Sequence, residues 1–161
     1  MLFRSKQYSR RPQHWRTPRR GASILSFVLD ASVALCWCFE DEADRYARSV
    51  FPVLRSLPAV VPAIWPAEFG NGLMVAERRK RISQTAVTAL LSAFRELPIP
   101  EDDRCQWQTR RELVSMARQH GLSVYDTLYL DIALQQELPL AMIDKQMKRA
   151  ARKLGVELFK P

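Results

Sequence analysis

From residue 26 onward, short apolar runs alternate with stretches whose apolar positions recur at helical spacing. The run from Ser26 to Leu29 ends in Asp30 and has the length of a buried strand rather than a helix. Ser32 can then cap a helix starting near Val33. Tyr46, Ala47, Val50, Phe51 and Leu54 form one helical face, and Pro58 ends that helix. Ala59 to Val61 predicts a second strand. Pro66 suits the first turn of the next helix, where its missing N–H has no partner, and Glu68 falls in that turn. Val87, Leu90, Leu91, Phe94 and Leu97 line a further helix stopped by Pro98 and Pro100. Another helix is expected from about Cys105 to Gln119, ending at Gly121. Tyr125, Leu128, Tyr129, Ile132 and Ala133 line the helix that carries Asp126. Leu140 to Ile143 reads as a strand, Met147, Ala150, Ala151 and Leu154 line the helix after it, and Val156 to Phe159 is a last strand. Alternating strands and helices predict an α/β fold with a mostly parallel sheet.

Charge divides the chain in two. The formal net charge is +8, but Arg4, Lys6, Arg10, Arg11, Arg16, Arg19 and Arg20 all lie in residues 1–26, which hold no acid. The remainder carries 18 basic against 17 acidic residues, a balance of +1. Residues 1–26 lack apolar periodicity and read as a basic, disordered extension; an arm that grips RNA, a targeting peptide or a mis-assigned start are the alternatives. Residues 27–161 are enough for one domain with its own core. Cys36, Cys38 and Cys105 are odd in number and lack zinc-like spacing, which favours a reducing cytoplasm. No apolar run approaches the roughly 18 residues that span a bilayer, so no membrane partner is expected.

Asp30, Glu68, Asp126 and Asp144 each follow a short apolar run or turn and open a helix. Singly, each has an ordinary structural explanation, because acids are favoured at helix N-caps and in first turns. Ser123 and Asp126 fit a capping box, and Asp144 before Lys145 fits an N-cap. Jointly they suggest more, since in parallel sheets the strand ends and following helix starts line one edge, where ligands bind. Four converging carboxylates without His or Cys call for a hard cation, Mg2+ or Mn2+. Metal-assisted phosphodiester hydrolysis is the chemistry such a site suits, although phosphatases and other Mg2+-dependent phosphoesterases use similar acids.

FVLDASVAL, VPAIWPAEFGNGL, GLSVYDTLYLDIAL and LPLAMIDKQMKRAA together resemble the PIN-domain family, and within it VapC-type toxins of bacterial toxin–antitoxin pairs. The resemblance runs in order over about residues 27 to 159. It implies a PIN-like three-layer α/β/α domain acting as a Mg2+-dependent endoribonuclease, a small cognate antitoxin and a homodimer. By the same resemblance Asp30, Glu68, Asp126 and Asp144 are the metal-binding and catalytic acids, with Ser32 and Asn71 in supporting roles. Met142 stands where the family usually has Thr or Ser, two residues before the last acid, which loosens the role of Asp144. A non-catalytic PIN-like module binding RNA or protein is the rival reading. Asp131, rotated by about 140° from Asp126 on an ideal helix, is expected on the solvated surface, as are the acidic turn from Glu40 to Asp44 and the cluster Arg78, Arg79, Lys80 and Arg81. Trp37, Trp65, Trp107, Tyr125 and Tyr129 are expected to pack in the core rather than stack on bases.

Overall fold

The computed structural model describes residues 26–39, 44–102 and 110–161. The extension expected over residues 1–26 lies outside these except for Ser26, as do Glu40, Asp41 and Glu42 of the acidic turn and the start of the helix expected from Cys105.

The chain alternates as the apolar pattern predicts. β1 (Phe27–Leu29) leads into α1 (Ala31–Leu35); α2 (Arg45–Val50) continues as a 3-10 turn over Phe51–Arg55; β2 (Ala59–Pro62) leads into α3 (Trp65–Arg78), followed by α4 (Gln84–Arg95). β3 (Glu101–Asp102), α5 (Arg110–His120), α6 (Val124–Gln136), β4 (Leu140–Ala141) and α7 (Lys145–Leu154) complete it. The strands form one parallel sheet in the order β3-β2-β1-β4, and the helices with it make the three-layer α/β/α fold.

Register explains why β1 is apolar throughout. Val28 pairs with both Val60 of β2 and Leu140 of β4, so the strand is central. Phe27, Val28 and Leu29 are all fully buried, as expected for a parallel strand covered on both faces. Helix α6 packs across β1, β2 and β4, contributing Tyr129, Leu130, Ile132 and Ala133 to the core. Phe27 stacks on Phe159 with centroids 4.0 Å apart, and Trp65, Phe69 and Phe94 join α3 to α4.

Four local expectations change. Ser32 does not cap α1; the helix begins two residues earlier with Asp30 at its N-cap position, because the strand ends at Leu29 and the chain turns at once. The helix expected from Tyr46 onward breaks at Pro52, which leaves a 3-10 turn in its second half. The strand expected from Leu140 to Ile143 is only two residues long, and Val156 to Phe159 touches the sheet through a single bridge from Leu158 to Leu140. β3 joins at the edge through pairing of Glu101 with Val61; two polar residues after Pro100 give no strand pattern to read.

The order matters for function. The chain leaves β1 toward β2 on one side, while β4 is laid down on the other. The C-terminal ends of β1 and β4 therefore form a switch point, where the outgoing connections diverge and leave a crevice.

Candidate active site

Asp30 is the first residue beyond β1, and its N–H donates to the carbonyl of Ala141 at 3.0 Å, fastening the end of β1 to β4. It occupies the N-cap position of α1 yet its carboxylate makes no capping bond; Oδ2 accepts instead from the Ser32 hydroxyl. The ordinary capping explanation therefore does not account for Asp30, which is a buried acid with 8% exposure. Burial pushes its carboxyl up to about 6; the Ser32 hydrogen bond opposes this, and the charges of Glu68 and Asp126 add to it. That mutual field is evidence that three acids from β1, α3 and α6 share one space.

Glu68 lies in the first turn of α3, half-buried, with Oε2 accepting from the Tyr129 hydroxyl. Burial raises its carboxyl above the usual range, the Tyr129 bond works against that, and Asp126 reinforces it. Helix α3 comes close to α1 because residue 72 is Gly: a β-carbon there would stand 2.5 Å from Leu35 Cδ1.

Asp126 and Asp144 do carry the caps that their sequences suggest. The Ser123 hydroxyl accepts from Asp126 N–H at 3.0 Å while Asp126 Oδ2 accepts from Ser123 N–H at 3.1 Å, a complete capping box at the start of α6. Asp144 Oδ1 accepts from Met147 N–H at 2.7 Å at the start of α7, and the residue is exposed. Their capping does not remove them from the site, because each of the four acids uses one carboxylate oxygen for its local bond. For Glu68, Asp126 and Asp144 the second oxygen takes no hydrogen bond from the described residues.

All four acids, with Ser32 and Asn71, line one cavity of about 490 Å³ at the switch point. No described Lys or Arg is among its lining residues, so four carboxylates face it without a cation from the described residues. Asp131 is elsewhere, as the sequence suggests: it is partly exposed on α6 with Oδ2 accepting from Gln135 Nε2 at 2.7 Å. Among the described residues no three His, Cys, Asp or Glu side chains already stand in ligating positions; each of the four carboxylates is engaged in a local hydrogen bond instead. The donor chemistry nevertheless fits a hard divalent cation, being all oxygen and strongly anionic.

Residues 27–153 match the family model of the PIN domain. The chain belongs to the PIN-domain family. PIN domains are generally nucleases, so membership supports a hydrolase acting on nucleic acids. A search of curated proteins found no match to the chain. Within this PIN domain, two residues that the apolar pattern assigns to packing or leaves unread support the cavity. Tyr129 is in the core as expected, at 1% exposure, but its hydroxyl fixes Glu68; its place three residues after Asp126, on the same helix face, is the signal for it. Gln146 donates through Nε2 to the carbonyls of Gly121 and, at 3.4 Å, His120. That bond ties the start of α7 to the turn before α6, and so links the elements carrying Asp144 and Asp126. Nothing in the local sequence around Gln146 reveals it, because its partners are backbone atoms 25 residues away.

Proposed function

We propose that this PIN domain is a Mg2+-dependent endoribonuclease, with Mn2+ able to substitute, and the toxin of a toxin–antitoxin pair. The observation that supports the nuclease reading most is the convergence of Asp30, Glu68, Asp126 and Asp144, from four separate segments, on a cavity with no Lys or Arg among the described residues that line it. The toxin assignment rests on the ordered likeness of those segments to VapC-type sequences. With it come a small antitoxin that blocks the cavity, a homodimer and a cytoplasmic location.

Asp30, Glu68 and Asp126 are the binding acids, since they already feel one another's charge. At neutral pH Asp30 is mostly ionised despite its burial, and its charge is the one least shielded by solvent. Ser32 orients the Asp30 carboxylate and Tyr129 that of Glu68. Asp144, exposed at the mouth, completes the set from the β4 side. Asp30, Glu68, Asp126 and Asp144 would hold a divalent ion, whose charge would lower the pKa of water and offset the negative charge of a phosphodiester during in-line displacement. The acids themselves exclude a second anion from the cavity until that charge is met, which makes cleavage dependent on the ion. Departure of the 3′ oxygen leaves 5′-phosphate and 3′-hydroxyl ends.

The test is cleavage of RNA by the purified chain. Activity is expected with Mg2+ or Mn2+, lost in EDTA, and lost again in Asp30→Asn and Asp126→Asn. Equal cleavage by those variants removes the mechanism. RNA binding without cleavage under every metal condition replaces it with the non-catalytic module.

A further inference from the structure

A site made of four acids creates a problem for a polyanionic substrate, because no Lys or Arg among the described residues lines the cavity to attract a nucleic-acid backbone. Helix α7 starts at the cavity mouth, where Asp144 is its N-cap and Gln146 and Met147 line the cavity. Its ten residues include Lys145, Lys148, Arg149, Arg152 and Lys153 and no acid. At 100° per residue these five cations fall within an arc of about 140°, opposite the buried Met147, Ala150 and Ala151. Lys148 is half-buried and its ammonium lies 5.5 Å from the Tyr46 ring centroid, a packing role. Lys145, Arg149, Arg152 and Lys153 are exposed and make no ion pair with Asp or Glu among the described residues.

We propose that this face of α7 is the track that holds the phosphodiester backbone of single-stranded RNA beside the cavity. The inference rests on the nuclease reading and adds the surface that offsets the cavity's own repulsion. The body of the chain is nearly neutral, at +1 outside residues 1–26, so an unneutralised stripe of this density is a local feature and not a general field. Along the helix axis Lys145, Arg149 and Lys153 stand at intervals of about 6 Å, so the cations recede from Asp144 in regular steps. A strand with one phosphate in the cavity passes its neighbouring phosphates over this row. An acidic polypeptide matches the sign of the charge, but not the continuity of the row with a cavity suited to phosphodiester chemistry.

The experiment is the salt dependence of binding of the full chain, in EDTA, to a fluorescent single-stranded RNA of mixed sequence. Each phosphate contact contributes about 0.7 to the slope of log affinity against log salt for a single strand. Combined Arg149→Gln, Arg152→Gln and Lys153→Gln is expected to lower the slope by about 2, on the order of a hundredfold weaker binding at 0.1 M salt. Arg149→Gln alone gives about a third of that change in slope. An equal charge removed at the exposed Arg48, Arg55 and Arg95 as Gln controls for net charge. An unchanged slope in the α7 variants, or an equal fall in the control set, overturns the track. So does a loss of binding to polyglutamate with RNA binding intact, which assigns the face to an acidic protein. The two proposals separate cleanly: Mn2+-dependent RNA cleavage with an unchanged slope overturns the track alone, whereas the slope loss without any cleavage supports the track and removes the nuclease.

Discussion

Asp30→Asn should stabilise the metal-free protein at neutral pH, the opposite of the usual effect of changing a buried residue. The carboxyl is buried, receives the Ser32 hydrogen bond, and is pushed from 3.8 to about 6. A raised carboxyl is protonated more readily in the folded chain than in the unfolded one. Its contribution to stability is therefore fully present below pH 3.8 and is lost as pH rises through about 6. At 1.36 kcal/mol per tenfold change in acidity, the loss by pH 8 is about 3 kcal/mol. Asn has the same shape, remains neutral and can still accept from Ser32, so the variant escapes that loss. In urea denaturation with EDTA, wild type and Asp30→Asn should be close at pH 4 and diverge through pH 6, the variant ending about 3 kcal/mol more stable at pH 8. Comparing the two at each pH cancels the titration of other groups. Mn2+ at a thousand times its dissociation constant reverses the order, because it adds about 4.1 kcal/mol to the folded state that binds it. A variant less stable than wild type at pH 8 in EDTA, or a difference that does not change with pH, would refute the burial argument.

Tyr129→Phe removes the only hydroxyl bonded to Glu68 among the described residues; Mn2+ affinity by calorimetry should fall by about tenfold or more, and an unchanged affinity would make the bond incidental. Ser123→Ala breaks the capping box of α6 and should cost about 1 kcal/mol in denaturation, with loss of helix start protection in amide exchange. At Asp144 the two common substitutions should part: Asn retains the cap and stability, whereas Ala loses about 1 kcal/mol. Equal stability of the Asn and Ala variants would show that the bond to Met147 contributes nothing.

Much of the local structure is written in the chain. The run from Phe27 to Leu29, the Pro66 helix start and the Ser123 capping box all follow from short-range chemistry, because apolar runs, proline geometry and side-chain caps act within a few residues. β3 is not legible, since Glu101 and Asp102 become a strand only by lying beside Val61. The shortened β4 and the lone Leu158 bridge are also set by the length of their neighbours.

The same division runs through the site. The sequence alone identified the acids, the caps for Asp126 and Asp144, and the family pattern that orders them. It could not say that Asp30 leaves the cap and is buried, that Tyr129 reaches Glu68 across 61 residues, or that Gln146 fastens α7 to Gly121. Nor does it show the α7 cations to be unpaired beside the acidic cavity. These depend on strand order: placing β1 between β2 and β4 brings four distant segments to one edge, where burial and neighbouring charge raise the carboxyls of Asp30 and Glu68. Spacing along the chain fixes what a residue can do for its own helix, and only the sheet decides which other residues share its field.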